Sequence, residues 1–431
     1  MTGIVPTARA PLDDWLAYIE RVHPQTIDMG LERVRQVRDA MGLVVSCPVI
    51  TVGGTNGKGS ACTMLESILC EAGYRVGCYT SPDLLRYNER AKIDRAEATD
   101  AALVEAFAAV EAARGDTPLT YFEFGTLAAV WLFARERVDV MVLEVGLGGR
   151  LDAVNVFDPD CALIMSIALD HMEYLGPTRE AIAREKAGIM RAGRPVICAE
   201  DDPPHTLTDH AQALGAKLLL RGRDFGFEAQ PQQWRYRGPG VDRHGLPYPA
   251  LRGRYQLANA SAVLAALDVL RDKLPVSAGD IRSGLLKTEN PGRFQVLPGR
   301  PLVILDVAHN PHAARALAET LRELPKGRTY AVFAMLKDKD AAAVVAAVKD
   351  DVDEWLVAGL EGPRATPVER LVQVLAAGGV TGPVSTCADV AAAYARACEQ
   401  ATLNDKIVAF GSFYTVAGVM AARAARSPRP M

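Results

Sequence analysis

A short apolar run, Pro48-Val49-Ile50-Thr51-Val52, ends in Gly53-Gly54 and gives way within a few residues to a helical stretch from Lys58. Between them lies Gly54-Thr55-Asn56-Gly57-Lys58-Gly59-Ser60. Glycines at such a junction let backbone N–H groups wrap phosphate oxygens without side-chain interference. The helix start adds the positive end of its dipole. Lys58 can reach the β- and γ-phosphates of a nucleotide, and the Ser60 hydroxyl can ligate Mg²⁺. The spacing departs from the common GxxxxGK(S/T) pattern. Val52 stands where the first glycine would fall, and Gly59 separates lysine from serine. The bland alternative is a Gly-rich strand-to-helix turn with a solvent lysine.

The rest of the chain repeats this alternation. A helix is expected from Lys58 to Ala72, with Ala61, Leu65, Ile68, Leu69 and Ala72 on one stripe and Gly73 as its stop. Strands are expected at Arg75 to Thr80, Val138 to Val145 and Cys161 to Ala168. Apolar strands alternating with helices indicate a parallel sheet covered on both faces. Around 222–256, Pro, Gly, Arg and aromatics predict hairpins and loops before helical patterning resumes at Asn259. Glu289 to Arg293 reads as a linker. Beyond it come strands at Leu302 to Val307, Tyr330 to Ala334, Trp355 to Ala358 and Lys406 to Phe410, with a helix from Pro311. The expected fold is α/β: a P-loop parallel-sheet N-terminal domain, 1–292, plus a smaller Rossmann-like α/β C-terminal domain, 293–431.

Composition removes several classes. With 431 residues, 49% of them hydrophobic, the chain can bury large cores, which excludes a disordered protein or a disulfide-stapled miniprotein. The formal net charge is −4, from 48 basic and 52 acidic residues, so a broad basic face for nucleic acid is not expected. No stretch approaches the roughly eighteen apolar residues of a membrane helix. The N-terminal MTGIVPTARAPLDDW lacks a basic-then-apolar signal. Eight cysteines without a CxxC pair read as reduced thiols of a cytoplasmic protein.

Three further residues carry chemistry. Glu144 ends an apolar strand before Gly146-Leu147-Gly148-Gly149-Arg150, where a carboxylate can hold Mg²⁺ against phosphates. Asp170-His171 ends the next run. A lone His there reads as a capping residue or as a metal ligand, and imidazole is an unusual ligand for a hard cation. Lys186 shares an apolar stripe with Ile182, Ala183, Ile189 and Met190 on a helix that Thr178 can cap. Such a lysine must snorkel, pair or lose its charge.

Together these segments resemble the folylpolyglutamate synthase/dihydrofolate synthase family of Mur-ligase-like ATP-dependent amide ligases, most closely its bacterial bifunctional members. The likeness runs over nearly the whole chain. It includes TIDMGLERV (26–34), the GTNGKGS loop, Thr80-Ser81-Pro82 with Asn88-Glu89-Arg90, and Leu119 to Glu123. It continues through LEVGLGGRLDA (143–153), SIALDHMEYLG (166–176), REKAGI (184–189), Pro291 to Phe294, LDVAHNPHAA (305–314) and Gly411-Ser412-Phe413. The resemblance implies that Asn56, Gly57, Lys58, Gly59 and Ser60 cradle ATP phosphates, and that Asn259, Arg293 and Asp306 also bind ATP. It implies Ser60, Ser81, Glu144 and His171 around two Mg²⁺ ions, and a CO₂-derived carbamate on Lys186. Ile27, Asp28, Met29, Thr120, Tyr121, Phe122, Glu123, Leu151, Asp152 and Ala153 would form the pterin pocket. Arg90, His309 and Ser412 would surround the incoming glutamate or the reacting phosphate, with Lys58, Lys186 and His309 as catalytic residues. Departures are few: Met29 stands where Leu is usual, and Asp83 replaces a residue often His.

The activity so implied joins L-glutamate to dihydropteroate and extends tetrahydrofolate, with ATP activating the carboxylate as an acyl phosphate. A cytoplasmic monomer acting on small molecules, without nucleic acid or membrane, is expected. A monofunctional folylpolyglutamate synthase is the nearest alternative. A cell-wall Mur ligase would need more than the fifty or so residues that precede the phosphate strand. A P-loop switch or binding module would leave Lys186 without a role.

Overall fold

The structure, a computed structural model, describes residues 5–426. The N-terminal reading above therefore falls in part, at residues 1–4, outside the described residues. The described chain divides into two compact units. The first runs to Ala168 and adds Leu175–Ala250 and Leu257–Thr288. The second holds the chain from Glu289 onward together with Leu169–Tyr174 and Leu251–Gln256.

In the first unit the apolar runs become strands: β1 (Val49–Gly53), β2 (Val76–Tyr79), β3 (Ala91–Ile93), β4 (Ala96–Glu97), β5 (Val140–Glu144), β6 (Cys161–Ile164), β7 (Pro195–Cys198) and β8 (Lys217–Leu220). They form one sheet in the order β4-β3-β2-β5-β1-β6-β7-β8. The pairs from β2 to β8 are parallel, and β3 and β4 add an antiparallel edge. The chain leaves β1 toward β2 on one side and later returns to β6 on the other. This switch point opens a crevice at the carboxyl end of β1, where ligands bind in open α/β sheets.

The helix after β1, Lys58–Glu71, matches the expected span, but it is not a one-faced helix. Every residue from Ser60 to Leu69 is buried. A second helix, Ala278–Leu286, covers its other side: a Cβ on Gly284 would lie 2.5 Å from the Ile68 Cα, and Ser67 Oγ donates to Gly284 O at 2.7 Å. The run expected as a strand to Ala168 stops at Ile164, because residues 165–168 peel away to brace the phosphate loop. The Pro/Gly/Arg-rich region folds as three antiparallel strands, β9 (Gly226–Ala229), β10 (Trp234–Gly238) and β11 (Val241–Leu246). The following helix starts earlier than its pattern suggested, at Tyr255.

The second unit has its own sheet of β12 (Gln295–Leu297), β13 (Leu302–Leu305), β14 (Thr329–Phe333), β15 (Glu354–Ala358), β16 (Val384–Cys387) and β17 (Lys406–Phe410), ordered β12-β13-β17-β14-β15-β16. Only β12 runs antiparallel. Phe333 anchors the core, edge-on to Trp355 at 5.2 Å and 5.1 Å from Phe410.

One buried acid tests this packing. Glu66, 3% exposed, accepts the Arg95 N–H at 3.2 Å. Burial pushes its carboxyl up to about 6, against the pull of Lys92 and Arg95. A raised carboxyl costs nothing below its unfolded value and penalises the native state as pH climbs through 6. Glu66→Gln is therefore expected to stabilise by up to about 2 kcal/mol at pH 8, and by less at pH 5. Denaturant unfolding at both pH values measures this. A pH-independent difference would contradict the assignment.

Candidate active site

The phosphate loop is built by its neighbours. Gly54 (φ +140°) passes so close to β6 that a Cβ would lie 2.9 Å from the Met165 Cβ. Thr55 N–H donates to Ser166 O at 2.6 Å, and Asn56 N–H to Ser166 Oγ at 2.8 Å. The Asn56 amide is thus engaged inside the protein. Gly57 (φ +89°) caps the helix in a left-handed conformation without a side-chain cap, so the first-turn amides have no helical acceptor. A Cβ on Gly57 would sit 2.7 Å from Asn259 Oδ1, which places Asn259 directly on the loop. Lys58 Nζ folds back to Thr55 O at 3.2 Å.

Glu144 closes β5 in register with Val52 of β1 and is 3% exposed. Its Oε2 accepts the Ser81 N–H at 3.0 Å, so the two are neighbours beside the loop, with Ser60 buried at the start of the helix. These are hard oxygen donors suited to Mg²⁺. Among the described residues no three His, Cys, Asp or Glu side chains form a metal-binding group.

Lys186 lies in the last turn of the helix Arg179–Ala187, which Thr178 caps by accepting the Ala181 N–H at 3.2 Å. The side chain does not snorkel to water: the residue is 3% exposed. Ile189 and Met190 fall beyond the helix end but are buried beside it. The Gly-rich turn after β5 packs on this helix backbone to backbone. A Cβ on Gly149 would be 2.8 Å from Glu185 O, one on Gly188 would collide with Arg150, and Arg150 N–H donates to Glu185 O at 2.7 Å.

The pterin candidates form a second cluster in the first unit. Arg33 bridges Asp28 Oδ2 (2.8 Å) and Glu123 Oε1 (2.9 Å). Thr120 and Glu123 form a reciprocal capping box on the helix Tyr121–Arg135. Their polar atoms are therefore engaged in that helix start. The Phe122 ring lies where a Cβ on Gly146 would be (2.5 Å), and 5.9 Å from Tyr79. Ile27 is exposed, and the Met29 methyl approaches Gly148. Leu151 is half-buried, while Asp152 and Ala153 are buried. Asp152 accepts the N–H groups of Leu147 (2.9 Å) and Val154 (3.0 Å), and burial pushes its carboxyl up to about 7 despite those bonds. Arg90 sits nearby on Tyr121, with its Nε 2.6 Å from Asp83.

The second unit gathers the other candidates in two groups. Asp306 accepts the Phe294 N–H (2.9 Å) and the Ala308 N–H (2.8 Å), and burial raises its carboxyl to about 6, with Arg293 opposing. Arg293 lies over the Phe413 ring at 5.0 Å, and its Nη1, like Asn290 Nδ2, is a buried donor without an acceptor among the described residues. Asp170 organises the other group. Lys339 Nζ reaches its Oδ1 at 2.7 Å, Asn310 Nδ2 donates to its Oδ2 at 3.1 Å, and His309 Nε2 is 3.6 Å away. Burial alone would raise this acid, but His309, Lys339 and His171 hold it well below the usual carboxylate range. Lys339 Nζ also lies 3.1 Å from His171 Nε2. Ser412 turns inward, its Oγ accepting the Thr415 N–H at 3.0 Å.

The folded chain thus assembles the loop, Asn259, Ser81 and Glu144 in one unit, and Arg293 with Asp306 in the other. Asp170 and His171 join the second unit because Lys339, Asn310 and His309 hold Asp170 there. Sequence reading assigned no role to Ser166, Arg33 or Lys339. Arg33 and Ser166 lay inside segments already singled out, TIDMGLERV and SIALDHMEYLG, whereas Lys339 lay in none.

The family model for the Mur ligase middle domain matches residues 52–267, and that for the Mur ligase glutamate ligase domain matches residues 292–413. The chain is 47% identical over 417 residues to the dihydrofolate synthase/folylpolyglutamate synthase of Escherichia coli K12, covering 96% of each. E. coli FolC in complex with DHPP and ADP superposes with a TM-score of 0.93 at 46% identity, covering 98% of this chain and 99% of that one. The Yersinia pestis bifunctional enzyme complexed with AMPPNP and Mn ion gives a TM-score of 0.92 at 47% identity, covering 98% and 100%.

Proposed function

From the chain's membership of the bifunctional dihydrofolate synthase/folylpolyglutamate synthase family of Mur ligases, we infer that it couples ATP cleavage to forming dihydrofolate from dihydropteroate and L-glutamate, and adds further glutamates to tetrahydrofolate. The observation that carries the chemistry is the buried Glu144 at the end of β5, in register with the strand that feeds the phosphate loop.

A carboxylate is a poor acyl donor. Its oxygen attacks the γ-phosphorus of ATP in line, the bond to the β-bridging oxygen breaks, and ADP leaves an acyl phosphate. The amine of glutamate then attacks the acyl carbon, loses a proton, and phosphate departs. The first-turn amides and Lys58 would offset charge building on the transferred phosphoryl group. In the first unit Glu144 with the Ser60 and Ser81 hydroxyls would hold divalent magnesium, which when bound neutralises phosphate oxygens, and His171 would be a metal ligand offered by the second unit. Lys186, removed from water, suits conversion to a carbamate. Asn259, Arg293 and Asp306 would bind ATP. The buried unpartnered donors Arg293 Nη1 and Asn290 Nδ2 support a ligand rich in acceptors. Asp28, Phe122, Leu151 and their neighbours would hold the pterin, and Arg90, His309 and Ser412 the glutamate side of the reaction.

Purified protein with MgATP and L-glutamate is expected to convert dihydropteroate to dihydrofolate with release of ADP. Extension of tetrahydrofolate without any dihydrofolate formation would leave the monofunctional reading. ADP release with a UDP-muramyl acid alone would point to a cell-wall ligase.

A further inference from the structure

Arg90 is held by a loop stiffened from within. The Glu89 carboxylate accepts three backbone N–H groups, from Leu84 (2.7 Å), Leu85 (2.7 Å) and Arg86 (2.8 Å). Asn88 Nδ2 donates to Ala98 O at 2.7 Å and to Asp100 Oδ1 at 2.8 Å. The guanidinium carbon lies 5.2 Å from the Tyr87 ring centre and 5.3 Å from that of Tyr121, within cation–π range. Gly125 makes room for this cage, since a Cβ there would collide with the Tyr87 hydroxyl. Burial raises all the tyrosines around the cation, Tyr79 to about 12, so the rings stay neutral.

Rings alone do not decide which edge of a guanidinium faces a ligand, because cation–π attraction is weakly directional in the plane of the group. Asp83 supplies that direction. Its Oδ1 takes the Nε–H at 2.6 Å, a charge-assisted bond. Arginine has five N–H donors. Among the described residues the side-chain hydrogen bond of Arg90 is the one to Asp83. Donors at the Nη end therefore remain for a carboxylate, which arginine binds in a two-pronged geometry. The Asp83–Arg90 pair is also close to neutral overall, so recognition there depends on where the donors point more than on net attraction.

We propose that Asp83 is a positioning residue for L-glutamate: it pins the Nε edge of Arg90 and so turns the Nη edge toward the amino acid's carboxylate. The proposal rests on the reading of Arg90 as a glutamate contact. The test compares steady-state constants for Asp83→Ala, Asp83→Asn and Arg90→Ala, with thermal melting as a check of folding. Asp83→Ala is expected to raise the KM for L-glutamate about tenfold to a hundredfold, the scale of one charge-assisted hydrogen bond, with the KM values for ATP and dihydropteroate unchanged. Asp83→Asn keeps an acceptor oxygen at the same place and is expected to stay within about threefold of the parent. A glutamate KM unchanged by Asp83→Ala but raised by Arg90→Ala overturns the positioning role while leaving Arg90 its contact. Equal losses in Asp83→Ala and Asp83→Asn overturn it too, since charge rather than direction would then matter. A glutamate KM unchanged by Arg90→Ala removes the reading beneath it and the proposal with it.

Discussion

Lys58→Ala is expected to slow dihydropteroate-dependent ADP release by about 10²–10³-fold, the usual cost of removing one preorganised charge stabiliser from a transferring group. The residue opens the helix Lys58–Glu71, where alanine is at least as good a helix former, so the fold should survive. Among the described residues its ammonium hydrogen-bonds only the Thr55 carbonyl of its own loop, which makes a structural role small. The loss belongs in kcat more than in the KM for ATP, because phosphoryl charge grows toward the transition state. Glu144→Ala should lose a similar factor through the carboxylate proposed to hold the metal. Near-normal turnover by either variant, with melting unchanged, would contradict the assignment.

Lys186 carries the second large effect. The side chain is removed from water on a helix that the Gly146–Arg150 turn covers at backbone distance. A carbamate there would turn a cation into an anion able to face a metal. Lys186→Ala is then expected to lose activity by about 10²-fold or more while keeping its melting temperature. Lys186→Arg should fail as well, since guanidinium keeps its charge and cannot take up CO₂. Formate or acetate is expected to restore part of the activity of Lys186→Ala by occupying the vacated place. A direct readout is the ¹³C spectrum of protein equilibrated with labelled bicarbonate, which should contain a carbamate signal that Lys186→Ala lacks. Absence of that signal together with full activity of Lys186→Arg would rule the modification out.

What the sequence made legible was local. The phosphate loop, its helix and the cap at Thr178 follow from residues within a few positions of one another. The apolar runs located β1, β5 and β17 because buried parallel strands need no alternation. Hidden parts depend on distant partners. Ser166 braces Asn56 from 110 residues away, and Lys339 reaches His171 across 168. Neither separation leaves a period to read. The helix Lys58–Glu71 looked amphipathic because its covering helix, Ala278–Leu286, is small-residue rich and hundreds of positions downstream. Thr120 and Glu123 carry two meanings at once: spelled T-x-x-E, they are a helix start as much as a segment of the proposed pterin cluster.

The described chain passes between its two compact units five times, after Ala168, Tyr174, Ala250, Gln256 and Thr288. Evolution by shuffling usually cuts a gene once between modules. Here a single breakpoint near Thr288 would separate Asp170 from Lys339 and Asn310, which coordinate its charge in one unit. A chimera joined there would inherit the acid from one parent and its counter-ions from another. The two halves of this ligase must therefore be inherited together, or exchanged at matched junctions in four places of the first half as well as at the linker.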